Sequence, residues 1–379
     1  PGLIIKKIQN TIGKGPHVLH EPTFCGNELK YLKESIKKNF VSTSGPFVKK
    51  FESNFSTYLN VKNSITVSNG TAAIHLIYLA MGLKKGDEVI VPGFGYMAAA
   101  NIAIQMGLKP VFADVNLETF CVTAKNIEKK ITKKTKLIVI IHTYGNMCDL
   151  KPIIELSRRK KIDILEDSAE SFGSTYNKKQ SGTFGDVATY SFQATKTITT
   201  GEGGMIVTKK GEGFSTKIKS YRSHGIIKKR YYHVYPGHNF RLTNIQAAIG
   251  CAQLKNFSKI KKERNRIYKY YKNLFQNIDG IKLQIFYKNI SPVVWAFAIL
   301  IDEKKFPQRD KIIKILKKKG IETRNGFYSP CRLPLYNKYE TNHLNNANNL
   351  SRNIICMPFF SSLKNKQIDY IYNQFIKLR

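Results

Sequence analysis

Between about residues 60 and 210, short apolar runs alternate with helix-length amphipathic segments, and few architectures accept that order. SITVSNG, DEVIVPG, KPVFADV, KLIVIIHTYG, DILEDSA, ATYSF and GMIVTK each carry an apolar run that ends in turn residues, as buried strands do. TAAIHLIYLAMGL and LKPIIELSRRKK lie between several of them, with apolar residues at three- and four-residue spacing. Strand–helix–strand alternation predicts an α/β fold whose mostly parallel sheet is covered by helices on both faces. Ligands of such sheets sit at the carboxyl ends of the strands, so the residues just after each run are the place to look for chemistry.

The texture changes near residue 250. LKNFSKIKKERNRIYKYYKNLFQN reads as a long polar helix, VVWAFAILI as a strand, and KIIKILKKKG as a helix closed by Gly320. NKQIDYIYNQFIKL is a further amphipathic helix. The expectation is a large domain over 1–250 and a smaller α+β domain over 251–379. The N-terminal segment 1–40 is expected to pack on the smaller one, and 379 residues suffice for two cores.

Composition narrows the function. No run of about 18 apolar residues occurs, so no membrane helix is expected. The opening PGLIIKKIQNTIGKG has neither a sustained apolar run nor a small-residue cleavage site, which argues against a secretory signal. Its first residue is Pro1 rather than Met, which is compatible with a removed upstream piece. Cys25, Cys121, Cys148, Cys251, Cys331 and Cys356 form no CxxC pair and no disulfide framework. Neither a metal site nor secretion is expected, and a reducing cytoplasm is. Lys and Arg total 62 against 26 acidic residues, a net charge of +36. The charge is scattered (RRKK at 158–161, KKKG at 317–320) rather than gathered into a stripe, so nucleic acid is not the expected partner. An anionic ligand would still be drawn to such a field.

The strongest chemical signal lies between 163 and 208. Asp167 closes an apolar run, where a carboxylate is costly unless paired. It reads either as a helix cap or as an anion facing a protonated ring nitrogen. Lys196 follows ATYSF in a segment rich in Ser, Thr and Gly. Among so many lysines it stands out because Asp167, Ser191 and GEGG frame it.

This stretch resembles the DegT/DnrJ/EryC1/StrS sugar aminotransferases, whose pattern runs EDxAxxxG, GDxxxxSF, K and TGEGG. SNGTAAIHLIYLA, VPGFGYMAAAN, HTYGNMCDL and GHNFRLTNIQAAIGCAQL extend the resemblance over roughly residues 20–375. It implies the aspartate-aminotransferase fold, fold type I, with a seven-stranded sheet. It also implies pyridoxal 5′-phosphate as cofactor, with pyridoxamine 5′-phosphate as its amine-carrying form.

The residue roles that follow are likewise implied by the resemblance. Lys196 would bond the cofactor and shuttle protons, which needs a lowered pKa. Asp167 would pair with the pyridine nitrogen, and Tyr96 would cover one ring face. Gly70, Thr71 and Ala72 at a helix start would take the phosphate, with Ser191 adding a hydroxyl. Asn239 would reach the phosphate of a neighbouring subunit, which implies a homodimer with shared sites. Glu170 stands where many members carry Gln or His beside the cofactor's phenolic oxygen, and there it would share a proton. A Glu at this point resembles the branch that makes 4-amino-4,6-dideoxy sugars. Members that deoxygenate sugars carry His in place of Lys196, so the lysine implies amino transfer.

HEPTFCGNELKYLKESI, STSGPFVKKFE and IETRNGFYSP are similar to members that aminate carbon 4 of GDP-4-keto-6-deoxymannose with L-glutamate. A UDP- or dTDP-linked keto sugar is the alternative. Arg324, Phe327 and Tyr328 are the candidate sugar-nucleotide contacts, with Ser44 and Gly45 at the mouth. Arg324 suits a bidentate pair with the diphosphate. The chain departs from the family at Val294-Trp295, where a Tyr-Trp pair is common. A second class of function stays open: a non-catalytic basic binding protein on the same scaffold, which need not keep Asp167, Ser191 and Lys196.

Overall fold

A computed structural model describes residues 16–379. The opening segment, where no secretory signal is expected, and the first part of the expected 1–40 packing lie outside those residues. All seven apolar runs form one sheet: β1 (Ser64–Val67), β2 (Glu88–Pro92), β3 (Lys109–Ala113), β4 (Thr135–Ile141), β5 (Asp163–Asp167), β6 (Val187–Ser191) and β7 (Gly204–Thr208). Their spatial order is β1-β7-β6-β5-β4-β2-β3. Only β7 runs against the others, pairing antiparallel with β6 and β1. Helices cover both faces, which is why β2 and β4 are apolar without alternation.

Local chemistry sets the flanking helices. Helix Gly70–Met81 starts where the Asn69 side chain accepts from the Ala72 N–H, and it ends at Gly82 in a left-handed conformation. Thr243 and Gln246 form a capping box at the start of helix Asn244–Lys255. Among the described residues no helix is long and apolar enough to cross a membrane.

The C-terminal part builds an antiparallel sheet of four strands, Ile281–Leu283, Phe297–Ile301, Ile354–Met357 and Arg324–Asn325 in spatial order. Residue 250 falls inside helix Asn244–Lys255, not at a break. The core changes later, within the next helix, Phe257–Phe275. Phe257 and Ile260 pack with Phe51, Phe55 and Phe172. Ile267, Tyr271 and Phe275 pack with Phe297, Ile355 and Phe375. The described part of the N-terminal segment divides too. His17 bridges Ile321, and the Phe359 N–H donates to Leu19 O at 2.9 Å. Helix Glu28–Lys37 instead faces helix Asn244–Lys255, where Gln253 Nε2 donates to Glu28 Oε1 at 2.6 Å.

Candidate active site

Four strands deliver side chains to one end of the sheet. Helix Gly70–Met81 follows β1, His142 and Tyr144 follow β4, Asp167 ends β5 and Ser191 ends β6. Lys196 lies on the loop after β6. Its N–H donates to Gln193 O at 2.8 Å, and the Thr195 N–H and hydroxyl both donate to Gln193 Oε1. The Lys196 side chain is 14% exposed, with Nζ 3.7 Å from Glu170 Oε1. Burial pushes its amine below the ordinary lysine value, against the opposing pull of Glu170 and Asp167.

The two carboxylates are buried and weakly satisfied. Asp167 accepts from the Ala169 N–H at 3.1 Å, and Glu170 from the Tyr144 N–H at 2.9 Å. Burial raises both pKa values, and nearby Lys196 lowers both in part. Tyr144 can offer its N–H because it is left-handed, with φ of 59°. Next to it Gly145 has φ of 99°, and a Cβ there would lie 2.3 Å from Val293 O. The TYG turn therefore presses on 293–295, and Trp295 N donates to Tyr144 O at 3.0 Å.

Trp295 is the centrepiece that sequence reasoning missed. Lys196 Nζ lies 4.0 Å from its ring centroid and Arg324 Cζ 5.0 Å. Its indole N–H donates to Thr195 O at 2.8 Å. His20 stacks on it, with centroids 5.5 Å apart and an interplanar angle of 10°. The one available signal was the departure at Val294-Trp295. His142 was missed as well. Its Nδ1 accepts from the Cys148 N–H, leaving Nε2 to donate to Glu166 at 3.1 Å.

The other candidates divide. A Cβ on Gly70 would sit 3.2 Å from Ser191 Cβ, so helix start and strand end are in close approach. Gly70 and Thr71 stand in the first turn, whose N–H groups have no intrahelical partner. Ala72 differs from expectation, because its N–H is spent on Asn69 Oδ1 at 2.8 Å. Phe327 stacks on Tyr144 at 5.3 Å and meets Tyr96 edge-on at 6.4 Å. Tyr96 is 63% exposed, and Tyr328 lies at the surface beneath Arg332. Asn239 is exposed and accepts from Arg241 Nε at 3.0 Å. Gly45 caps helix Pro46–Leu59 against Asn244, with Ser44 exposed beside it. Among the described residues no hydrogen bond, ion pair or ring contact joins Ser44 or Gly45 to Lys196.

A family model described as the DegT/DnrJ/EryC1/StrS aminotransferase family matches residues 23–376. The chain belongs to that family. It is a pyridoxal-phosphate-dependent sugar aminotransferase. It is 38% identical over 355 residues to the GDP-perosamine synthase of Escherichia coli O157:H7, covering 93% of this chain and 96% of that one. To the GDP-perosamine synthase of Vibrio cholerae it is 37% identical over 359 residues, covering 94% and 97%. A variant of GDP-4-keto-6-deoxymannose-3-dehydratase solved with bound GDP-perosamine superposes with a TM-score of 0.88. That protein is 26% identical, with 95% of this chain and 100% of that one covered.

The residues fit the cofactor of the aminotransferase family. A buried Asp167 without a direct cationic partner suits a protonated ring nitrogen. The open N–H groups of Gly70 and Thr71, next to Ser191, suit a phosphate. Among the described residues Arg324 Nη2 is buried without a hydrogen-bond partner, a donor open to a bound group.

Proposed function

We propose that this enzyme moves an amino group from L-glutamate to carbon 4 of GDP-4-keto-6-deoxymannose, giving GDP-perosamine. The observation that carries this reading is the buried Lys196 amine beside Glu170 and Asp167, in a chain 37% and 38% identical to GDP-perosamine synthases. The GDP-perosamine held by the similar dehydratase variant supports the choice of nucleotide.

Pyridoxal phosphate, when bound, supplies an electron sink that acidifies the C–H bond beside the transferred nitrogen. Asp167 would pair with the ring nitrogen and keep a proton on it in the low-dielectric interior. The Gly70 and Thr71 N–H groups and the Ser191 hydroxyl would hold the phosphate, and Tyr96 would lie against the ring. Burial lowers the pKa of the Lys196 amine and so favours its neutral, proton-accepting form. That amine takes the proton from the glutamate carbon and later delivers one to sugar carbon 4. The face from which it delivers sets the configuration of the product. Glu170, 3.7 Å from the Lys196 amine, would hold a proton for the cofactor's phenolic oxygen. Asn239, exposed on the single chain, serves the phosphate of a second copy in a homodimer. Six unpaired cysteines suit a reducing cytoplasm.

The test offers purified enzyme and L-glutamate a panel of GDP-, UDP- and dTDP-linked 4-keto-6-deoxy sugars, with products read by mass spectrometry. Amination of the GDP-linked sugar is expected. Preference for a UDP- or dTDP-linked sugar moves the assignment to that nucleotide, and no glutamate-dependent product refutes the donor. Lys196→Ala is expected to lose on the order of 10³-fold or more in kcat. Normal turnover in that variant refutes the role of the lysine.

A further inference from the structure

Arg324 entered as a partner for the diphosphate, but its surroundings point elsewhere. It stands with Lys196 over the Trp295 ring, at the reacting end of the site. Its Nη2 is buried and has no hydrogen-bond partner among the described residues. On the same indole stacks His20, contributed by the N-terminal segment. His20 Nδ1 lies 3.1 Å from Phe359 O, and a carbonyl only accepts, so Nδ1 carries the proton. Nε2 is therefore a lone-pair acceptor, and it too is buried without a partner among the described residues. Burial, with Arg324, Arg264 and Lys196 nearby, pushes the imidazole down to about 3, so it stays neutral at working pH.

Among the described residues, one unsatisfied donor and one unsatisfied acceptor thus border the same indole. Each costs free energy until a ligand fills it. A phosphate or carboxylate would satisfy Arg324 but set its own lone pairs against Nε2. An ammonium would satisfy His20 but repel the guanidinium. A hydroxyl donates and accepts at once. We infer that His20 and Arg324 together hold a hydroxyl of the keto sugar, His20 accepting its hydrogen and Arg324 donating to its oxygen. The inference rests on the sugar-nucleotide reading above and adds the group that recognises the sugar itself. It removes Arg324 from the diphosphate.

The test separates the two half-reactions in the holoenzyme. In His20→Ala the glutamate-driven change in cofactor absorbance is expected to keep its rate. The kcat/KM for GDP-4-keto-6-deoxymannose is expected to fall about tenfold. His20→Gln, which retains an acceptor oxygen, should recover part of the loss. The 2-deoxy and 3-deoxy analogues supply the decisive comparison. Wild type should disfavour one of them by about tenfold, and His20→Ala should no longer distinguish it from the parent sugar. Equal slowing of both half-reactions, or discrimination that survives in His20→Ala, overturns the inference. Wild type that responds to glutamate yet aminates no keto sugar refutes the substrate assignment instead, a different result from retained discrimination.

Discussion

Glu166 and Asp167 are neighbours on β5, and the pleat sends them to opposite faces. Both carboxylates are buried, yet they end in opposite states. Glu166 is surrounded by donors: His142 Nε2, the Gly182 N–H at 2.9 Å, and the Phe184 and Gly185 N–H groups. Burial would raise its pKa, but those donors outweigh it and hold the carboxyl below the ordinary range. Among the described residues Asp167 accepts only from the Ala169 N–H, so burial wins and its pKa rises. One face stores a satisfied charge that fastens β4, β5 and the 182–185 turn together. The other keeps a charge short of partners, which a cationic ring can complete. Burial alone does not distinguish a structural acid from a functional one; the count of donors does.

That contrast can be broken by substitution. Asp167→Asn keeps shape and removes the charge, so activity should fall on the order of 10³-fold while the cofactor-free protein stays folded. Steady-state kinetics and a urea melt check both halves, and an unfolded variant or normal activity defeats the comparison. Glu166→Gln should do the reverse, costing about 3 kcal/mol of stability by turning an amide NH₂ toward backbone donors. A melt unchanged within error would show that the donors around Glu166 contribute nothing.

The pH dependence of the cofactor-free protein sharpens the same point. Glu166 is held below its ordinary value of 4.5, so its stabilisation is present above that pH and fades as pH falls through the folded value. Asp167 is held above 3.8, so its native state binds the extra proton. Stability from this group is lost as pH rises from 3.8 through the raised value. Urea melts across the acid range should therefore lose a rising limb in Glu166→Gln and a falling limb in Asp167→Asn. The smallest expected effect is Trp295→Phe, which keeps the ring but loses the bond to Thr195 O. It should cost about 1 kcal/mol and change kcat/KM a few-fold.

The seven strands were legible because each is a continuous apolar run closed by turn residues. Lys196 and Asp167 were legible because a fixed pattern ties one to the other within a single stretch. Trp295 was not, since its indole bond to Thr195 spans 100 positions and follows from how the second core docks. His20 is further still, 339 positions from the carbonyl that sets its tautomer. Glu166 was hidden by resemblance to its neighbour: ED in sequence does not say which acid faces the donors. Ala72 shows a competition invisible in the motif, because Asn69 takes the N–H that a phosphate would have wanted.

Helix Phe257–Phe275 carries Phe257 and Ile260 in one core and Ile267, Tyr271 and Phe275 in the other. A rod rooted in both cannot be released by one alone without fraying mid-length, where a break sacrifices several intrahelical bonds for no gain. The two lobes are therefore expected to melt in a single transition, and a nick near residue 250 is expected to free no self-sufficient fragment.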